Sequence, residues 1–164
     1  MPSDIIDPSG IEYSVESNNR SSGTDDVSSL RERIRHSASH IMADAVQSIF
    51  PEVKFAIGPP TEDGFYYDFQ LPRALTEDDL GLLERKMTAI VAADLPFERT
   101  DVDRSKASDM FQNQPFKLEI IDAITDDSLG IYSHGGFSDL CNGPHVRSTG
   151  EVISFKLLSV AGAY

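Results

Sequence analysis

The chain has 164 residues, 40% of them apolar and 25% charged, with 27 acids against 14 lysines and arginines for a net charge of −13. That length suits one core-bearing domain, with or without a tail, and no apolar run approaches the ~18 residues of a membrane-spanning helix. The acid excess excludes a protein that grips nucleic acid by its own surface, because replacing counterions on the phosphate backbone takes a surface rich in lysine and arginine.

Residues 1–27 are rich in Ser, Asp, Asn and Gly and show no sustained period, so a disordered acidic tail or linker is expected there, followed by one ordered domain over 28–164. The acids Asp4, Asp7, Glu12, Glu16, Asp25 and Asp26 stand against Arg20 alone, which fits neither a signal peptide nor an organelle transit peptide. Cys141 is the one cysteine and can form no internal disulfide. That suits a reducing, cytoplasmic setting.

Ser28 or Ser29 can cap a helix that Pro51 ends. Leu30, Ile34, Ala38, Ile41, Ala45 and Ile49 recur at spacings of three and four, a stripe that faces a core, and His36 and His40 fall on the roughly opposite side near Asp44 and Gln47. VKFAI and FYYDF read as strands joined by a turn. Thr76 with Asp79 resembles a capping box and opens a helix to about Ala93 that buries Leu80, Leu83, Met87, Ile90 and Val91. FERTDVD reads as a strand, Ser105 to Phe111 as a short helix, and Lys117 to Ile124 as either. IYSH and FSDL flank Gly135-Gly136, a hairpin signal, and ISFKLLSV reads as a final strand. Helices alternating irregularly with hairpins predict an α+β fold with helices packed on one face of an antiparallel sheet. The sequence carries no glycine-rich phosphate loop.

Two groups of residues can carry chemistry. His36 and His40, one helical turn apart, can share a metal ion or a bound water, although a polar helix face gives the same spacing. Ser37 occupies the place where a zincin protease carries glutamate, which excludes that mechanism. The second group is Asp139-Leu-Cys141-Asn-Gly-Pro-His145. Asp139 and Cys141 leave the same face of a strand end, and the Gly143-Pro144 turn lets His145 swing back toward them. A buried, inert Cys141 at a strand end is the plainer alternative. Together His36, His40, Cys141 and His145 have the ligand types of a zinc site.

This pattern, H-x3-H and far downstream C-x3-H, is similar to the editing domain shared by threonyl-tRNA and alanyl-tRNA synthetases and by free-standing alanyl-tRNA deacylases. RHSASHIMADAVQSIFPEVKFAIGPPTEDGFYYDF, LCNGPHV and FKLLSVAGAY resemble the threonyl branch, and the likeness runs from Leu30 to Tyr164. It implies a hydrolase that removes serine from mischarged threonine tRNA. The expected partners are the tRNA 3′ end and the catalytic and anticodon-binding domains of a larger, ATP-using synthetase, with no membrane. It also implies an excised or truncated domain that cannot activate threonine itself.

The resemblance places His36, His40, Cys141 and His145 around the ester and the attacking water, with Lys117 near the oxyanion or ribose hydroxyls. It sets Asp139 against the seryl ammonium and Tyr67 along the pocket. A histidine of the helix pair is the favoured base, with His145 next and Cys141 as covalent nucleophile less favoured, because water suffices for an activated ester. No cofactor is expected for the threonyl version. Zn2+ at His36, His40, Cys141 and His145 is the alanyl alternative. Asn142 stands where many relatives carry a basic residue. Without the family, Tyr67 reads equally as core, Lys117 as a solvated lysine, and His134 as a surface residue of the hairpin.

Overall fold

The structure, a computed structural model, describes the backbone of residues 5–6, 12–13 and 24–162, with side chains from residue 29 onward. Most of the expected acidic tail lies outside the described residues; within it β1 (Ile5–Ile6) pairs antiparallel with β2 (Glu12–Tyr13). Helix α1 spans Thr24–Ile49, so it starts before Ser28 and Ser29 and neither serine is its cap.

The remaining elements are β3 (Lys54–Phe55), β4 (Phe69–Gln70), α2 (Glu77–Ala92), β5 (Glu98–Asp103), α3 (Arg104–Met110), α4 (Pro115–Ala123), β6 (Ser128–His134) and β7 (Phe137–Leu140). A 3-10 turn covers Thr149–Glu151. β3 pairs antiparallel with β4, and β5, β6 and β7 form an antiparallel sheet in that order. This is the expected α+β class. The Lys117 to Ile124 run resolves as helix, because Pro115 sits in the first turn, where its missing N–H costs nothing. The expected capping box at α2 is formed in both directions, Thr76 Oγ1 accepting from the Asp79 N–H and Asp79 accepting from the Thr76 N–H. Arg73 pairs with the same carboxylate at 2.6 Å and holds its pKa well below the ordinary carboxylate range.

Two apolar clusters organise the domain. The larger joins Ala38, Ile41, Met42, Ala45 and Val46 of α1 to Leu83 and Met87 of α2, and reaches Phe55, Tyr67 and Phe137. Burying side chains of this size contributes about 1.5–3 kcal/mol each. Truncating the fully buried Met87 to alanine should cost about 2–5 kcal/mol. The smaller cluster packs Ala107 and Phe111 of α3 and Ile121 of α4 on Leu129 and Ile131 of β6. These helices therefore cover one face of the three-stranded sheet. The opposite face, carrying His134, Phe137, Asp139 and the nearby Cys141, meets α1.

That second contact explains why α1 departs from a simple amphipathic helix. Residues 37–43 are all buried, because here the histidine side meets the sheet while the apolar stripe packs on α2; Leu30, at the start of the expected stripe, is instead 44% exposed. Small residues permit the approach, and Ser39 Oγ lies 2.7 Å from the carbonyl oxygens of both His36 and Gly58.

Two expectations need correction. The run ISFKLLSV forms no strand: residues 152–162 lie outside any sheet, with Ile153 86% and Leu158 85% exposed. Its alternating pattern has no sheet edge beside it. Glu84 of α2 takes the Leu157 N–H at 2.9 Å and the Lys156 ammonium at 3.1 Å in place of a partner strand. His134 is also not a surface residue, being 1% exposed. Only the Gly135-Gly136 tip protrudes, whereas His134, at the strand end, points at α1 and bonds Asp44 at 3.0 Å.

Candidate active site

The fold brings His36, His40, Cys141 and His145 together, with one ligand-capable atom from each lying within 4.8 Å of the others. α1 supplies the first two one turn apart, and the end of β7 supplies Cys141. The loop after Cys141 reverses at Gly143, whose φ of 73° suits a glycine, and continues through a cis Gly143–Pro144 peptide to His145. A Cβ at Gly143 would lie 2.5 Å from the Tyr132 hydroxyl, so the turn also needs glycine for space.

His145 is the hub. It stacks on His36 at 4.1 Å and on Phe97 at 4.8 Å between ring centroids, and meets His40 and Tyr132 edge to face. Its Nδ1 lies 3.0 Å from Ser37 Oγ and its Nε2 lies 3.4 Å from Cys141 Sγ. His36 Nε2 lies 3.2 Å from the same sulfur, while its Nδ1 donates to the Pro144 carbonyl at 3.2 Å. The Gly143 N–H donates to the sulfur at 3.2 Å.

Burial sets the protonation of this group. It holds His40 well below the ordinary imidazole range, with His36 and Lys117 adding to the effect. Burial also lowers His145, reinforced by His40 and His36, and lowers His36 against the opposing pull of the Pro144 carbonyl. All three imidazoles are neutral near pH 7 and able to accept a proton. The same desolvation pushes the Cys141 thiol up to about 12, so it stays protonated and is a poor nucleophile.

A second group adjoins the first. The Lys117 ammonium lies 2.8 Å from Asp139 Oδ1 and donates to the Tyr67 hydroxyl at 3.0 Å. Tyr67 in turn donates to Asp139 Oδ2 at 2.6 Å. Burial, then Asp139, raises the Tyr67 pKa well above that of an ordinary phenol, which keeps it a donor. Lys117 and Asp139 are 4% and 5% exposed, so the lysine is a buried ion-pair member rather than a solvated one. His40 Nε2 stands 3.7 Å from Asp139 Oδ2 and joins the two groups. Gly58 lets the chain cross the Tyr67 ring, since a Cβ there would fall 2.1 Å from it.

Several residues of the site were not singled out from the sequence. Ser37 is fully buried between the histidines, and Phe97 from the approach to β5 and Tyr132 from β6 clamp His145. Arg99 donates to the Asn142 carbonyl at 3.1 Å, so a guanidinium stands beside the loop at which Asn142 itself carries no charge. The only sequence signals for these were a serine between two histidines and aromatic residues at strand positions next to them.

The four ligand types suit zinc. Two of the three histidines also have their far nitrogens oriented by a partner, as metal-ligating histidines do, whereas His40 Nδ1 is buried without one. The sulfur–nitrogen spacings of 3.2 and 3.4 Å are those of direct hydrogen bonds. They are slightly shorter than the roughly 3.6 Å spanned across a tetrahedral zinc. The residues can therefore hold a metal; without it Cys141, His36 and His145 bond one another, while His40 Nδ1 stays unpartnered.

The description "Threonyl and Alanyl tRNA synthetase second additional domain" matches residues 129–162, which include Asp139, Cys141 and His145. That stretch of the chain carries the signature of the family. Within it, the likeness is to the threonyl enzymes. The chain is 54% identical over 133 residues to a threonine–tRNA ligase of Dehalococcoides mccartyi, covering 81% of this chain and 23% of that protein. Over 133 residues it is 53% identical to a threonine–tRNA ligase of Oleidesulfovibrio alaskensis, covering 80% of this chain and 21% of the relative. With the threonine–tRNA ligase of Symbiobacterium thermophilum it shares 52% identity over 137 residues, covering 82% and 21%. The chain spans about a fifth of the length of these curated relatives. No described helix is long and apolar enough to cross a membrane.

Proposed function

We propose that this domain hydrolyses the ester joining a wrongly attached serine to the 3′-terminal ribose of threonine tRNA, acting as the editing unit of a larger cytoplasmic synthetase. The observation that carries the reading is the gathering of three neutral imidazoles, two of them buried and His36 half-buried, and a protonated thiol beside a lysine–aspartate pair. Such a site is needed because serine differs from threonine by one methyl group, and a difference of that size supports only about 10- to 200-fold discrimination in one binding step.

The roles follow from the donors and acceptors. His36 gives its Nδ1–H to the Pro144 carbonyl, so its Nε2 carries the lone pair; that lone pair faces Cys141 Sγ at 3.2 Å and takes a proton from a water that displaces the thiol. The water oxygen bonds to the ester carbon, the proton passes to His36, the bond to the ribose oxygen breaks, and that oxygen takes the proton back. Lys117, which gives two of its three protons to Asp139 and Tyr67, has the third for the position where the carbonyl oxygen gains charge, and Tyr67 holds the ammonium there. Asp139 already accepts from both and has remaining lone pairs for a seryl ammonium. Arg99 pairs with Asp101 at 2.9 Å and donates to the Asn142 carbonyl, so it gives the RNA backbone at most a shared cation near the 3′ end, with the rest of the grip left to other domains of the synthetase.

The second reading is an alanyl-type site, favoured by the zinc-compatible donor set. His36, His40, Cys141 and His145 would hold the ion, which when bound supplies Lewis-acid activation of water. The metal-free reading is preferred because the thiol and imidazoles already bond one another and an acid adjoins them. The test is deacylation of seryl- and threonyl-charged threonine tRNA at high domain concentration. Selective loss of serine is the expected result. Equal loss of both amino acids, or tRNA binding with no hydrolysis, would refute it.

A further inference from the structure

Ser37 follows His36 on α1 and is completely buried. Its oxygen accepts the Val146 N–H at 3.1 Å and lies 3.0 Å from His145 Nδ1. The hydroxyl has one proton, and of these two neighbours only His145 Nδ1 can accept it. His145 then carries its own proton on Nε2, aimed at Cys141 Sγ 3.4 Å away. The sulfur, accepting there and from the Gly143 N–H, directs its proton to His36 Nε2 at 3.2 Å. His36 closes the sequence with its Nδ1–H on the Pro144 carbonyl. The chain of donors thus begins at Val146 and ends at Pro144, the two neighbours of His145, and the Ser37 hydroxyl fixes its direction.

We infer that Ser37 is a positioning residue that holds His145 as the Nε2–H tautomer, making His145 a hydrogen-bond donor in the site and leaving His36 as the accepting imidazole. This division of labour goes beyond the proposed reaction, and only its kinetic consequence rests on that proposal. A buried serine inside a helix ordinarily turns its hydroxyl back to its own helix carbonyls. Here the hydroxyl is spent across the interface on the loop that carries His145, which ties α1 to that loop at the one ring that touches all the others.

The test is nitrogen-15 NMR of the histidine side chains in the chelator-treated chain, with Ser37→Ala and Ser37→Thr variants. The wild type should show His145 Nδ1 as an unprotonated nitrogen shifted by an accepted hydrogen bond, and Nε2 as a protonated one. Ser37→Ala should lose that hydrogen-bond shift and Ser37→Thr should keep it. A protonated Nδ1 in the wild type would overturn the inference, and this spectrum decides even where the alanine variant fails to fold. In deacylation, Ser37→Ala should lower kcat about tenfold with KM unchanged, the loss expected for one orienting hydrogen bond. A raised KM with kcat intact would count against positioning. A wild type with the assigned tautomer but no activity on either ester would overturn the editing proposal while supporting the role of Ser37.

Discussion

Replacing Asp139 by asparagine keeps the shape of the side chain and removes its charge, so it isolates what the buried ion pair does. In the native domain the Lys117 ammonium sits 2.8 Å from Asp139 with both side chains about 5% exposed or less. Taking away one partner leaves a cation in a site with little water to replace the lost contact. Breaking such a buried pair costs about 3–5 kcal/mol, far more than the ~1 kcal/mol at most of an exposed pair. The Tyr67 hydroxyl keeps an acceptor in the asparagine carbonyl, so its contribution to the loss should be small. Urea unfolding of Asp139→Asn, Lys117→Met and the double variant measures this directly. Each single change should lower stability by about 3 kcal/mol or more, and the double variant by clearly less than their sum. Additive losses under ~1 kcal/mol each would refute the reasoning, because the pair would then behave as if exposed.

Further consequences follow from burial and backbone geometry. Because burial lowers His36, His40 and His145, the unfolded chain binds protons below about pH 6.5 that the folded chain does not. Stability should therefore be full above that value and fall as pH drops, by up to about 1.4 kcal/mol per pH unit for each histidine. Urea midpoints that stay flat from pH 7.5 to 5 would contradict this. Cys141, with its thiol pushed up to about 12, should react slowly with iodoacetamide at pH 8 and quickly once unfolded in urea; rapid native labelling would disagree. Gly143→Ala places a Cβ 2.5 Å from the Tyr132 hydroxyl at a φ of 73°. Calorimetry should show a loss of at least about 1–2 kcal/mol from the backbone alone. Gly58→Ala should displace the Tyr67 ring and lower stability by about 1–3 kcal/mol, seen by the same method.

What could be read from the sequence was whatever depends on near neighbours in the chain. The Thr76–Asp79 capping box, the Gly135-Gly136 hairpin and the one-turn spacing of His36 and His40 are each set within a few residues, and the structure has all three. What escaped depends on partners far along the chain. His134 looked like a surface residue of the hairpin because nothing near it announces Asp44, ninety residues away. Lys117 looked solvated because its counter-charge is on another element. The ISFKLLSV run carries strand-like alternation, yet a strand also needs an edge to pair with, and Glu84 of α2 satisfies its backbone instead. Ser37 is a further case: its type and place were plain, but its hydroxyl acts through Val146 and His145 of a distant loop. In every such case the deciding partner lay far along the chain, which no local pattern encodes.

The central claim is that a histidine-activated water, without a metal, removes serine at this cluster. It is tested most directly by single-turnover deacylation of seryl-charged threonine tRNA by the wild type and His36→Ala, each with and without a chelator. Serine should be released by the wild type at the same rate in both arms, and the alanine variant should release essentially none. Activity abolished by the chelator and restored by zinc, or retained in His36→Ala, would contradict it.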